Sequence, residues 1–232
     1  EQIEAEIKNR VSDAHKRIQK AETDSMNNIS YKITDLAINA AKEILADKIV
    51  GWVQGRMEFG PRALGARSIL ANPYSTKTQK HVNLKIKKRE SFRPFAPMVL
   101  EEDLHEIVPT CKHSKYMLQV HKINHQLRKN VSSDYQNLDW KDKLYTEKSN
   151  FPAITHVDFS ARVQSIHKDN ENPIRDLLLE IKKITGFGIL VNTSFNSSNE
   201  PIVCSAQDAY NCFIQNGIDI LVIENTIFYK ND

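Results

Sequence analysis

Five cationic residues recur beside apolar turns in this chain: Arg62, Arg67, Lys87, Arg89 and Arg93. The arginines offer planar, forked donors suited to bidentate contact with phosphate, and Lys87 adds a compact charge. A second cluster, Asn192, Thr193, Ser194 and Asn196, gathers neutral donors and acceptors in the stretch N-T-S-F-N. Together these types suit a phosphate-bearing ligand: the cations neutralise it, and the amides and hydroxyls orient it. Singly, each has a plainer reading, as an ion-paired surface arginine or an Asx-type turn. His156 and Asp158 read either as an acid–base pair or as structural residues of a strand. The chain has no G-x-x-x-x-G-K-[ST] sequence, so it is not a P-loop enzyme.

The elements that must position these groups alternate between helix and strand. Ile3, Ile7, Val11, Ala14 and Ile18 give residues 1–20 a narrow helical stripe, which either packs on its own domain or docks on a partner. A polar break is expected at 21–28, then a helix over 30–45 capped by Ser30, with Ile33, Leu36, Ala37, Ala40 and Ile44 inward. Residues 49–53 read as a strand. The loop 55–65 follows, where three glycines permit left-handed backbone or close approach of a ligand, and Pro61 fixes the chain beside Arg62. Residues 67–70 return to extended structure, and 76–87 read as a polar helix. Lys87, Arg89 and Arg93 share odd positions, so in an extended chain they project to one side; continuation of the helix past Lys87 would weaken that alignment. Because Ile86, Phe92, Phe95 and Pro97 supply the apolar contacts nearby, replacing Lys87 or Arg93 is expected to cost little stability.

Strands are expected at 97–100, 116–120 and 161–166, the last carrying Arg162 and Gln164 on one face. Residues 122–150 lack periodicity and read as a mobile insertion, a possible lid. A helix opening at Asn172-Pro173 and closed by Gly186 precedes a strand at 189–191. Ser205 and Asp208 form a capping box, and a terminal hairpin turns at Glu224-Asn225.

The bulk composition fits this organisation. The chain has 232 residues, 40% hydrophobic and 26% charged, enough for one sizeable core. A net charge of +3 is too mild to imply nucleic acid, though a local basic pocket can hide in it. Three cysteines without metal-ligand spacing predict a reducing, cytoplasmic setting. No membrane-spanning run or signal peptide is evident, and a first residue of Glu1 predicts a fragment of a longer chain.

Four motifs then occur in order: G-R-M-E-F-G-P-R-A-L-G-A-R-S-I-L, K-K-R-E-S-F-R-P-F-A-P, P-A-I-T-H-V-D-F-S-A-R-V-Q and N-T-S-F-N-S-S-N-E-P-I-V. Across residues 29–229 the chain resembles the C-terminal domain of the O-carbamoyltransferases, which modify nodulation factors and antibiotics; residues 1–28 read as a helical extension outside it. The resemblance implies an α/β (α+β) YrdC-like fold, a twisted mixed sheet flanked by helices with a concave, basic nucleotide-binding face. Its K-x-R…S-x-N signature is matched by Lys87-Lys88-Arg89 and Ser194-Phe195-Asn196.

The implied substrates are carbamoyl phosphate and ATP, the latter with Mg²⁺, and the implied product is carbamoyl-adenylate. A separate N-terminal, Kae1-like (actin-like ATPase) domain, on the same polypeptide or another subunit and carrying a metal such as Fe²⁺, would then carbamoylate an acceptor hydroxyl. Neither membrane nor nucleic acid is implied as a partner; the alternative is a YrdC-like RNA- or nucleotide-binding module without catalysis. By matching motif, Arg62, Lys87, Arg93, Arg162, Asn192, Ser194 and Asn196 line the site, with Arg62, Lys87 and Arg93 in the catalytic role. Arg67 and Arg89 are further candidates that could pair instead with Glu58 or Glu90. The chain departs from the family pattern at Ala66, usually Asn, and at Phe159 and Asn199, usually Gly. Asn199 is expected to tolerate the turn, whereas Phe159 is expected to reshape or cover the pocket beside Arg162. Residues 122–150 also exceed the expected length.

Overall fold

Short runs of aliphatic residues, buried on both sides, set the central sheet. The computed structural model describes the backbone of residues 2–170 and 172–230, and the side chains within it except those of 2–12, 14 and 25–32. The strands are β1 (Val50–Val53), β2 (Arg67–Ala71), β3 (Ala96–Leu100), β4 (Val120–Lys122), β5 (Ser160–Arg162), β6 (Gln164–Ile166), β7 (Ile189–Ser194), β8 (Ile220–Ile223) and β9 (Thr226–Tyr229). The helices are α1 (Gln2–Leu45), α2 (Thr78–His81), α3 (Leu104–Ile107), α4 (Trp140–Tyr145), α5 (Ile174–Thr185) and α6 (Ala206–Gln215). Seven strands form a mixed sheet in the order β6-β3-β7-β2-β1-β8-β9, and β4 pairs with β5 separately. β1 runs parallel to β8 and β3 parallel to β6; the other pairings are antiparallel. This is the mixed α/β architecture expected from the sequence.

Alternation along the strands divides the core in two. Val50, Trp52, Leu70, Met98 and Leu190 face the C-terminal half of α1, through Leu36, Ala40 and Ile44, and α5, through Leu177, Leu178 and Ile181. Val53, Ile69, Val99, Val191 and Leu221 face the opposite layer, where Ile86, Phe195 and Phe213 pack. The site ends up at one strand boundary. β7 and β3 are antiparallel, with Asn192 opposite Ala96, and β6 joins the far side of β3, with Gln164 opposite Met98. The end of β7, the start of β3 and the β5–β6 junction therefore meet.

Several expectations are corrected. The backbone is helical without a break from Gln2 to Leu45, so the interruption at 21–28 is absent; polar composition alone, without Gly or Pro, does not stop a helix. Of the N-terminal stripe, Ile3, Ile7, Val11 and Ala14 lie outside the described side chains, as does Ser30, and Ile18 is exposed. Residues 116–120 are not a buried strand: Tyr116, Leu118 and Val120 are exposed, and Met117, at φ 55°, bends the run into a loop. The predicted strand 161–166 is two strands in two sheets, divided at Val163.

Residues 122–150 hold two short 3₁₀ turns and α4. The buried Tyr135 donates through its hydroxyl to the Val157 carbonyl at 2.8 Å. The buried Lys148 donates to the carbonyls of Lys143, Leu144 and Thr146 at 2.9, 3.0 and 2.7 Å. These anchors are polar, so apolar periodicity does not reveal them. Among the described residues, no helix is long and apolar enough to cross a membrane.

One contact joins the sheet to the N-T-S-F-N motif. Phe195 packs so closely on Gly51 that a Cβ there would sit 2.6 Å from its ring. Gly51→Ala should therefore cost about 1–3 kcal/mol by overpacking. Urea denaturation checks this, and unchanged stability would show that the ring can move aside.

Candidate functional site

The loop after β1 is shaped by Glu58. Its Oε1 accepts the backbone N–H groups of Leu64 (2.7 Å), Ala66 (2.7 Å) and Arg67 (3.2 Å), folding the loop around one carboxylate. Gly60 and Gly65 take φ values of 125° and 115°, which other residues rarely adopt. Pro61 and Arg62 project from the folded loop at a cavity, while Arg67 does not. The Arg67 side chain is buried, and its guanidinium donates to the carbonyls of Gln54 (3.3 Å), Gly55 (3.0 Å), Ala66 (3.0 Å) and, by two nitrogens, Cys204 (3.2 and 3.0 Å). Arg67 thus stitches loops together, and it meets Glu58 through its backbone N–H.

The helix begun by α2 widens at its end. Residues Val82–Ile86 form a π turn closed by the Lys87 N–H on the Val82 carbonyl at 2.9 Å, and Lys88 takes a φ of 45°. The extended alternation that would align Lys87 with Arg89 and Arg93 is therefore absent. The Lys87 side chain turns inward, and its Nζ donates to the Ser194 carbonyl, Ser194 Oγ (3.2 Å), the Asn196 carbonyl (3.0 Å) and Asn196 Oδ1 (2.8 Å). Burial, with Arg89 nearby, pulls the Lys87 ammonium down to about 7. Ser194 Oγ donates to Asn196 Oδ1 at 2.7 Å, and Asn196 Nδ2 to the Glu200 carbonyl at 2.8 Å. The two halves of the K-x-R…S-x-N pattern are thus physically clamped.

Four guanidinium-bearing residues line a cavity of about 210 Å³: Arg62, Arg89, Arg93 and Arg162, joined by Pro61, Ala63, Pro94, Phe95, Ala96, Met117, Asn192, Thr193 and Ser194. Each arginine assigned a partner is held by a different group. Arg162 donates to the Met117 carbonyl at 3.1 Å. Arg89 donates to Asn83 Oδ1 at 2.7 Å and lies over the Phe95 ring at 5.3 Å. Arg93 pairs with Glu90 at 2.9 Å, the partner suspected for Arg89. Burial, reinforced by Arg93, lowers the Arg89 pKa, and burial, reinforced by Arg62, lowers that of Arg162. The lining includes no carboxylate residue, and converging guanidiniums favour a phosphate-type anion.

Asn192 forms part of the cavity wall and is almost wholly buried. Its Nδ2 donates to the Ala63 carbonyl at 2.9 Å and to Gln164 Oε1 at 2.8 Å, while its buried Oδ1 has no hydrogen-bond partner among the described residues. Of the sequence candidates, Arg62, Arg89, Arg93, Arg162, Asn192 and Ser194 meet at the cavity, whereas Arg67, Lys87 and Asn196 are not among its lining residues. Sequence reasoning missed Met117 and Gln164, although the placing of Gln164 on the face of Arg162 was the available signal.

The remaining candidates are explained by local geometry. His156 contacts Ser160 Oγ through Nδ1 at 3.1 Å, Ser160 donates to Asp158 at 2.5 Å, and Lys122 pairs with Asp158 at 2.8 Å. This is a hydrogen-bonded turn bordering a different cavity, of about 430 Å³. Phe159 and Asn199 have φ values of 64° and 62°, the left-handed region that favours the glycine common there. The Phe159 ring packs on Tyr135 at 5.6 Å and under the Arg128 guanidinium at 5.4 Å, and Phe159 is not among the residues lining the arginine cavity.

A family model described as "Carbamoyltransferase C-terminus" matches residues 41–230. An uncharacterized protein of Synechocystis sp. is 46% identical over 200 residues, covering 86% of this chain and 32% of that protein. The nodulation protein NolNO of Sinorhizobium fredii is 37% identical over 199 residues, covering 84% of this chain and 26% of that protein. The nodulation protein NolO of Bradyrhizobium diazoefficiens is 40% identical over 190 residues, covering 82% and 31%. The chain thus spans a third or less of the length of these relatives.

The placement of Lys87 overturns its expected dispensability. Lys87→Met strands the acceptors of the Ser194–Asn196 turn and should cost about 1–3 kcal/mol. Arg93→Ala removes only an exposed ion pair and should stay within about 0.5 kcal/mol. The folded-state pKa of Lys87 lies below its unfolded value, so between pH 7 and the ordinary lysine range unfolding takes up a proton. Stability should then rise with pH, by at most about 1.4 kcal/mol per unit relative to Lys87→Met. Urea titrations at pH 7, 8 and 9 measure the difference, and parallel curves would contradict it.

Proposed function

The chain belongs to the carbamoyltransferase C-terminus family, and on that premise we propose that its arginine cavity binds carbamoyl phosphate and ATP and joins them into carbamoyl-adenylate. The observation that carries this reading is the convergence of Arg62, Arg89, Arg93 and Arg162 on one small cavity whose lining has no carboxylate residue. An RNA-binding face would spread its cations along a surface; a compact cluster favours a small, highly charged ligand. About 210 Å³ suits carbamoyl phosphate but falls short of a drug-sized pocket, so the nucleotide's base and ribose extend past the rim.

In this reading, water cleaves carbamoyl phosphate to carbamate and phosphate. A carbamate oxygen then attacks the α-phosphorus of ATP in line, the bond from that phosphorus to the bridging oxygen breaks, and pyrophosphate departs with the electron pair. Mg²⁺ enters as part of the nucleotide substrate. The protein's share is positioning and charge neutralisation. The guanidiniums offset charge on both anions and on the departing pyrophosphate. Lys87 and Asn196 keep Ser194 at the wall, and Arg67 keeps the loop of Arg62 in place.

We take the sheet to be of the YrdC-like kind, with residues 29–232 as the domain and 1–28 as an extension on the same helix. Transfer to an acceptor hydroxyl falls to a Kae1-like, metal-bearing domain, in keeping with relatives some three times longer. The setting is cytoplasmic, where the free thiols of Cys111, Cys204 and Cys212 persist.

Calorimetry with MgATP and carbamoyl phosphate, together with carbamoyl-phosphate-dependent exchange of pyrophosphate into ATP, tests the reading. Arg162→Ala and Arg93→Ala should each lose about 10- to 150-fold in ligand affinity, corresponding to 1.5–3 kcal/mol for a charged hydrogen bond. Lys115→Ala should match the parent. Absence of binding by the folded parent, or parental affinity in both arginine variants, would sink the assignment.

A further inference from the structure

One of the cavity arginines is aimed by a buried amide that is not itself among the lining residues. Asn83 lies in the π turn Val82–Ile86 and is fully buried. Its Nδ2 meets the carbonyls of Ser91 (3.2 Å) and Arg93 (2.8 Å). Carbonyls can only accept, so the end of the amide placed there must be the NH₂ group. That settles an orientation which atomic positions alone often leave open. Oδ1 faces Arg89 and accepts its Nε at 2.7 Å, and the Arg89 backbone N–H joins the Asn83 carbonyl at 3.1 Å. Gln79 Nε2 also holds this loop, at the Phe92 (3.4 Å) and Arg93 (3.3 Å) carbonyls, but those bonds reach main chain only. Among the described residues, the Arg89 guanidinium makes one hydrogen bond, the one to Asn83. A guanidinium can grip an anion with two parallel bonds by its Nη1–Nη2 edge or by its Nε edge. Here the Phe95 ring covers a face of the group, and Asn83 occupies Nε.

We infer that Asn83 is a positioning residue that turns Arg89 end-on to the cavity, so that the Nη1–Nη2 edge, and not the Nε edge, grips a phosphate of the substrate. This rests on the proposed reading of the cavity and adds how one of its guanidiniums is aimed. Arg89 lines the cavity and is only partly buried, so an anion can reach it. A phosphate taking the Nε edge would have to displace Asn83 and leave a buried acceptor unmet, which is costly. The Nη1–Nη2 edge carries no such penalty. The ring limits tilt and the amide limits rotation, so Arg89 has already given up the freedom that a loose arginine would lose on binding.

Calorimetry on the 232-residue chain, with carbamoyl phosphate and inorganic phosphate as separate titrants, provides the first test. Arg89→Ala should lose about 10- to 150-fold in affinity for both, and Asn83→Ala about tenfold. In the Arg89→Ala background, Asn83→Ala should change affinity by no more than about twofold, because its effect passes through Arg89. A general structural role would weaken binding equally in both backgrounds. The second test is NMR of the arginine Nε–H groups in the parent, with Arg89→Lys to assign the signal. The Arg89 Nε–H should exchange with water more slowly than those of exposed arginines, and phosphate should move it little. Parental affinity in folded Asn83→Ala or in Arg89→Ala, or an undiminished effect of Asn83→Ala without Arg89, overturns the inference while leaving the cavity's reading intact. If Asn83→Ala does not fold, the parent's spectrum decides: fast exchange, or a large shift of the Arg89 Nε–H with phosphate, overturns it. If the parent binds neither carbamoyl phosphate nor inorganic phosphate, the reading of the cavity fails and the inference falls with it.

Discussion

Mutual repulsion among the guanidiniums of Arg62, Arg89, Arg93 and Arg162 is the constraint that the rest of this site serves. Like charges gathered around a small cavity repel one another. Three of the four are tethered by separate elements: Arg162 by the Met117 carbonyl, Arg89 by Asn83 and the Phe95 ring, and Arg93 by Glu90. Glu90 is exposed beside the cavity and is not among its lining residues, so it restrains one arginine without neutralising the interior. The wall therefore holds positive charge that an incoming anion can relieve, and the protein need not reorganise to offer it.

A second set of cations has the opposite task. Arg67 and Lys87 are buried, and both spend their donors on backbone carbonyls. Burying a charge is costly unless its hydrogen bonds are made, and here each charge joins segments distant in sequence. Lys87 binds the end of a helix to the Ser194–Asn196 turn, and Arg67 binds the loop after β1 to Cys204. The cavity arginines thus rest on a frame that is itself cationic. This explains why sequence motifs rich in Arg and Lys mix two classes of residue: some line the cavity, and others hold the first class in position.

That distinction was not legible in the sequence, although much else was. Strands β1, β2, β3 and β8 follow from short buried runs, α5 from its wide apolar face with Gly186 behind it, and α6 from its Ser205–Asp208 box. These signals are local, and local signals survive in one chain of letters. The inward turn of Lys87 depends on a single wider helical turn and on the left-handed Lys88, neither of which has a compositional mark. The division of 160–166 between two sheets depends on partners far away in sequence. Gln164 was read as a neighbour of Arg162, but its side chain is held by the Leu64 carbonyl, 100 residues distant.

Phe159 and the segment 122–150 looked like two unrelated departures from the family pattern, and the structure makes them one. A non-glycine residue in the left-handed region costs roughly 1–2 kcal/mol, and Phe159 sits there at φ 64°. The ring meets Tyr135 and Arg128, and both belong to that segment. An aromatic pair contributes about 0.5–1.5 kcal/mol beyond its buried area, and a cation over a ring a similar amount. These contacts are of the size needed to offset the backbone cost. The longer segment accordingly gives the phenyl ring a seat away from the arginine cavity, and the ring in turn fastens the segment. The turn between Asp158 and Ser160 keeps the shape a glycine would give it, and Arg162 keeps its place at the cavity wall.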